Sequence, residues 1–126
     1  MKITPNLIVD AIEPCLPFWV DRMGFQNVAE MPEGDAIGFV ILVRDGTELM
    51  LQSSASVRKD EPAFAPAGES RVATLFVEID DFDDTVKRLE GYPIAMEDRT
   101  TFYGMREVGV FDPAGNIVIF AKRVTE

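Results

Sequence analysis

Histidine is absent from the chain. That removes imidazole as a metal ligand and as the usual general base near neutral pH. Cysteine is nearly absent: Cys15 stands alone, which excludes an internal disulfide and leaves a thiol without a histidine to activate it. It reads as a small buried residue on a helix face. Positive charge is scarce, with 12 Lys and Arg against 22 Asp and Glu for a net charge of −10. Such a field repels a phosphate backbone and an anionic bilayer, so neither nucleic acid nor membrane is expected as a partner. A cationic or neutral ligand suits it better, and acidity also serves solubility alone. Long apolar runs are missing too: the longest, Ala36 to Val43, falls far short of the roughly 20 residues that span a bilayer. No charged amino-terminal stretch leads into an apolar signal core, so a soluble cytoplasmic protein is the expectation.

What is present is one pattern written twice, in residues 3–52 and 72–121. Each copy opens with an apolar strand ending in an acidic residue (LIVD at 7–10, FVEID at 76–80) and runs into an amphipathic helix. Each helix stops at a glycine followed by an aromatic ring, Gly24-Phe25 and Gly91-Tyr92. Each copy closes with a glycine-led apolar strand, Gly46 to Gln52 and Gly115 to Ala121. Two diverged copies of a strand-helix-strand-strand-strand unit give this pattern. At 126 residues the two modules make one ordinary domain, residues 1–126.

The first helix is read from the stripe Ile12, Leu16, Trp19, Val20 and Met23, with Pro14 in its first turn. The second stripe is Phe82, Val86 and Leu89, with Asp81, Asp83 and Asp84 at the amino end of the dipole and Lys87 and Arg88 toward the other. Further strands are expected at Gln26–Glu30, Ala36–Val43, Ile94–Arg99 and Arg106–Phe111, and Asp45-Gly46 and Ala114-Gly115 read as tight hairpin turns. The segment 53–71 shifts to Ser, Ala, Pro, Gly and charge, and reads as the linker between modules with Phe64 its one bulky apolar residue. Four strands and one helix cannot cover both faces of a sheet. The expected fold is therefore α+β: two βαβββ modules forming a curved, mostly antiparallel sheet around a cleft walled by the uncovered face, where a ligand would go.

Candidate residues follow from period-two alternation. Glu48 and Glu78 sit on strands among apolar neighbours; facing a cleft they would supply acceptors for a cation, and at solvent-exposed strand ends they would only aid solubility. Phe39 and Phe76 lie mid-strand, as core or as ligand platform, while Phe102 and Tyr103 sit at the tip of the loop before Gly104, as core caps or cleft rim. Arg106 either clamps a ligand carboxylate or pairs with Glu107 or Asp112, the structural pairing being favoured.

The repeat, the helix PFWVDRMGF at 17–25 and above all FYGMREVGVFDPAGNIVIF at 102–120 resemble the vicinal oxygen chelate superfamily, which includes glyoxalase I, extradiol dioxygenases and bleomycin resistance proteins. The Phe-Trp-Val-Asp before Gly-Phe and the Asp-Pro-Ala-Gly-Asn turn look most like the bleomycin resistance branch. The resemblance specifies a fold rather than a reaction. It implies four metal-ligand positions on the cleft face, which counting along the motifs puts at Ile3, Met50, Thr74 and Ile119. None is a competent ligand for a divalent metal beyond a weak thioether and a hydroxyl. A register error would bring in Glu48, Gln52, Glu78 or Asn6, though an odd slip turns a side chain to the other face, and an all-oxygen site from Glu48 and Glu78 is the alternative for a hard cation. The resemblance thus points to a homodimer that binds and sequesters a small aromatic or cationic compound, as in antibiotic resistance. No catalytic residue, metal or cofactor is expected. The ligand-binding set is Phe39, Glu48, Met50, Gln52, Phe76, Glu78, Phe102, Tyr103 and Arg106. The rival is a metal-dependent lyase, isomerase or dioxygenase with oxygen ligands; a third reading is an assembly protein whose cleft is filled by its own side chains.

Overall fold

The computed structural model describes residues 1–61, 63 and 72–124. The chain divides into two compact units, Met1–Val72 and Ala73–Glu126. The first holds strands β1 (Asn6–Val9), β2 (Gln26–Glu33), β3 (Ala36–Arg44) and β4 (Thr47–Ser53), a 3-10 turn (Glu13–Cys15), a π-helix (Pro17–Arg22) and helix α1 (Ser54–Asp60). The second holds β5 (Thr74–Glu78), α2 (Phe82–Arg88), β6 (Ile94–Thr100), β7 (Met105–Phe111) and β8 (Ile117–Arg123). The sheets have the same order, β1-β4-β3-β2 and β5-β8-β7-β6. In each, the opening strand runs parallel to the closing one and the other pairings are antiparallel. The two βαβββ modules read from the repeat are thus present, in an α+β protein.

The first helix departs from expectation. Pro17 has no N–H, so an α-helical ladder cannot pass through it. The chain instead makes one 3-10 turn, with Cys15 N–H donating to Ile12 O at 2.8 Å, and then a wide turn in which Met23 N–H donates to Phe18 O at 3.0 Å. Gly24, at φ 76°, closes it by donating to Val20 O at 3.1 Å. The wider turn rotates the buried stripe: Ile12, Cys15, Phe18, Trp19 and Met23 are buried, while Leu16 and Val20 are only partly covered. Trp19 packs edge-on against Phe18 and Phe25, at centroid distances of 5.0 and 5.5 Å. Two polar bonds tie this segment to β3: Ile37 N–H donates to Glu13 Oε2 at 2.8 Å, and Arg44 Nη1 donates to Met23 O at 2.7 Å.

The segment expected as a linker begins with structure. Ser53 ends β4 and caps α1, its Oγ accepting from Ser56 N–H at 3.1 Å. Val57 is buried, and Arg58 and Lys59 lie in the last turn where the dipole favours them. Polar composition hid this helix because only one of its seven residues enters the core. Phe64 lies outside the described residues.

In the second unit α2 follows its predicted stripe, with Phe82 and Leu89 buried, and Thr85 rather than Val86 completing the inner face. Asp45 and Gly46 take φ of 50° and 75°, the conformation a two-residue turn requires. The turn expected at Ala114-Gly115 is longer. Asp112 N–H donates to Asn116 O at 2.9 Å, so Pro113, Ala114 and Gly115 form a three-residue loop. Asp112 Oδ1 accepts from Ala114 and Asn116 N–H at 3.0 and 2.8 Å, and Asn116 Oδ1 accepts from Ala73 N–H at 2.8 Å. The Asp-Pro-Ala-Gly-Asn motif therefore fixes the β7–β8 hairpin and the entry to β5. Among the described residues no helix is long and apolar enough to cross a membrane.

Trp19 is 2% exposed, and its truncation to alanine is expected to cost about 3–5 kcal/mol. Native emission should be blue-shifted and resist iodide; strong iodide quenching would place the indole in solvent. The Ile37 N–H bond lowers the Glu13 carboxyl below its usual range. A depressed folded-state value adds stability above the ordinary carboxylate pKa and loses it as pH falls through the lowered one. Denaturant titrations from neutral to acid pH should show a shallower acid loss in Glu13→Gln than in wild type; equal slopes would show that the bond contributes nothing.

Candidate functional site

Strand pairing sorts every side chain of the second sheet to one of two faces. Phe82 and Asp83 of α2 meet Arg106, whose guanidinium carbon lies 4.5 Å from the Phe82 ring centroid and whose Nη1 donates to Asp83 at 2.9 Å. Helix α2 therefore covers the face that carries Arg106, Val108, Val110, Val118 and Phe120. Among the described residues no helix of this unit lies on the opposite face. Its residues stand in rows read directly from the register: Glu78, Ala121, Glu107 and Arg99; then Phe76, Ile119, Gly109 and Met96; then Thr74, Ile117 and Phe111.

The first row is polar. Glu107, 2% exposed, accepts from Arg99 Nε and Nη2 at 3.3 and 3.1 Å on one oxygen and from the Tyr103 hydroxyl at 2.9 Å on the other. The buried charge is thereby paired and hydrogen-bonded, as its burial requires. Glu78 is exposed and makes no hydrogen bond or ion pair among the described residues. The second row is apolar. Gly109 contributes no side chain, and a Cβ there would stand 3.1 Å from Met96 Cβ, while Phe76 is 53% exposed. Tyr103 and Phe102 come from a three-residue loop like that at Asp112: Thr101 N–H donates to Met105 O at 2.7 Å, and Gly104 takes φ 83°. The two rings meet edge to face at 5.1 Å, with Phe102 fully exposed.

The first unit has a matching face. Its rows are Ile8, Gln52, Phe39 and Met31; Asn6, Met50, Ile41 and Ala29; and Glu48 beside Val43 and Gln26. Asn6 donates to Gln52 at 2.9 Å, Gln52 to Ser56 at 3.1 Å, and Glu48 is paired with Lys2.

Of the residues singled out in the sequence, Phe39, Glu48, Met50 and Gln52 share the open face of the first unit, and Phe76 and Glu78 that of the second, with Tyr103 reaching it through Glu107. Phe102 stays at the loop tip. Arg106 stands apart: it lies on the helix-covered face, held by Asp98 at 3.1 and 2.8 Å and by Asp83. Those carboxylates, Asp98 foremost, hold its guanidinium above the usual range. Neither Glu107 nor Asp112 is its partner. Sequence reading missed the Glu107–Arg99 pair, although alternation along Arg106–Phe111 carries the signal: valines at 108 and 110 mark the core face and send Glu107 to the other.

The family's metal positions do not fit a catalytic metal. Met50, Thr74 and Ile119 lie on the open faces, but Ile3 precedes β1 and is 87% exposed. Thr74 pairs with Ile117, two residues before Ile119; the same step from Met50, which pairs with Asn6, leads to Thr4. One thioether, two hydroxyls and an isoleucine make no divalent site. Among the described residues no three His, Cys, Asp or Glu side chains come together as a ligand group.

The Glu107–Arg99 pair should respond asymmetrically to mutation. Arg99→Ala strands a buried carboxylate and is expected to cost about 3 kcal/mol, whereas Glu107→Gln leaves a half-exposed guanidinium to water and should cost about 1 kcal/mol. Chemical denaturation measures both, and equal losses would contradict the assigned burial.

The family model of the Glyoxalase/Bleomycin resistance protein/Dioxygenase superfamily matches residues 3–120. No curated protein matches the sequence. Among solved structures the chain is similar to TioX from Micromonospora sp. ML1 (TM-score 0.79, 20% identity, covering 98% of both chains). It is similar to lactoylglutathione lyase from Agrobacterium tumefaciens (TM-score 0.76, 22% identity, covering 97% of this chain and 92% of that one). It is also similar to TnmS3, an antibiotic binding protein from Streptomyces sp. CB03234 (TM-score 0.69, 22% identity, covering 98% and 97%). At such identities the likeness speaks for the fold. With the family model spanning most of its length, this chain belongs to the glyoxalase/bleomycin resistance protein/dioxygenase superfamily.

Proposed function

We propose that the protein binds and sequesters a small aromatic or cationic compound without transforming it, and does so as a homodimer. The observation that carries this reading is the open face of the second unit, where an exposed Phe76 ring stands two residues along β5 from a Glu78 carboxylate that is unpaired among the described residues, with Ile119 beside the ring on the next strand. A planar cation gains ring burial and charge contact there together. The antibiotic binding described for TnmS3 is compatible with it, and the lyase of the same fold supports the enzymatic rival equally. The donor chemistry of Met50, Thr74 and Ile119 favours the binder.

Calorimetry against bleomycin-like glycopeptides, other planar cations and matched anions tests the reading. Cations should bind best, with affinity falling only partly on adding salt, because ring burial is insensitive to screening. Tyr103→Ala or Phe102→Ala should weaken binding more than Glu78→Gln, since exposed rings that a ligand covers outweigh a charge that stays in water. Preference for anions would overturn the reading. So would stoichiometric divalent metal in protein purified without chelator that is lost on Glu48→Ala or Glu78→Ala. Light scattering that gives one chain per particle would remove the dimer.

A further inference from the structure

Resting on the binding role proposed above, the geometry points to a ligand that is a zwitterion: a flat body with a cationic group at Glu78 and a carboxylate or other oxyanion at Arg99. Arg99 is bound to Glu107 through Nε and one Nη2 hydrogen, both on the same oxygen. That is one edge of the guanidinium. The remaining edge, Nη1 with the second Nη2 hydrogen, makes no hydrogen bond among the described residues, and the side chain is 56% exposed. A buried carboxylate thus holds the guanidinium in place with its bidentate edge free, which is the arrangement that receives a planar oxyanion at least entropic cost.

The rows set the span. Glu78 lies on β5 and Arg99 on β6, the two outer strands of the sheet. Three strand spacings separate them, roughly 14 Å between backbones. Between them along the row lie Ala121, wholly buried, and Glu107, already paired, so no free charge interrupts the path. In the neighbouring row Phe76, Ile119 and Met96, exposed or half-buried, supply the apolar surface for the ligand body. Charge argues against a plain anion: Arg99 is neutralised by Glu107, and a net charge of −10 repels an anion at range, whereas a zwitterion carries no net charge to repel.

The test uses a biphenyl with an aminomethyl group at one para end and a carboxylate at the other, beside its methyl ester, the aminomethyl compound alone and the carboxylate alone. On the wild-type protein, calorimetry should give the zwitterion about tenfold tighter binding than its ester or the simple cation, as a charge-assisted pair at a half-exposed site warrants, with the carboxylate alone weakest. Arg99→Lys keeps the charge but not the fork. It should erase most of the tenfold advantage while leaving the cation's affinity unchanged, and Glu78→Gln should weaken cation and zwitterion alike. Equal affinity of zwitterion and ester for the wild type overturns this inference and leaves the binding role standing. The inference falls in the same way if Arg99→Lys lowers cation and zwitterion by one factor, since Arg99 would then act through the fold. Failure of both cation and zwitterion to bind overturns the binding role and the inference with it.

Discussion

Every feature of this protein depends on the one-sided burial of a four-stranded sheet. A strand sends alternate side chains to opposite faces, and one or two short helices per unit can dry only one of them. In the second unit Val108, Val110, Val118 and Phe120 take the dry side under α2. Whatever occupies the alternate positions faces away from the helix, and a charge buried there, as at Glu107, must be paired. Those positions carry Glu78, Phe76, Glu107 and Gly109, a set that would be destabilising beneath a helix.

Arg106 and Glu107 show how strictly this operates. They are neighbours of opposite charge, and neither bonds the other. The arginine extends along the helix-covered face, stacking on Phe82 and ending between Asp98 and Asp83. The glutamate turns to the open face and is held by Arg99 and Tyr103. One ion cluster locks helix to sheet; the other holds an arginine and a tyrosine on the open face. A one-residue slip of β7 would exchange the two roles and bury the wrong charge.

Much of this was legible in the sequence, and the exceptions have physical causes. The repeat gave both modules, and periodicity gave the strands to within a few residues, because buried alternation leaves a strong pattern. The first helix misled because a 3-10 turn before Pro17 and a wide turn after it leave Leu16 and Val20 partly covered and bury Phe18, while Cys15 is buried as expected. Helix α1 was invisible because it buries Val57 alone, so no stripe exists to read. Arg106 drew attention through its motif, but a motif does not say which face a side chain takes. The placement came from the valines on either side of Gly109, which fix the core face of β7 and leave Glu107 on the other.

Catalysis on this fold asks for donors that activate water or polarise a carbonyl, held where substrate binds. Here the best-held carboxylate, Glu107, has both oxygens occupied, one by a guanidinium and the other by a phenol. The free carboxylate, Glu78, is exposed and lacks an orienting partner, so it offers charge without the fixed geometry that acid–base work needs. Position and charge are both present on the open face, but on different residues. That division suits recognition, in which each group has only to meet its complement, and it is the physical ground of the binding role proposed above.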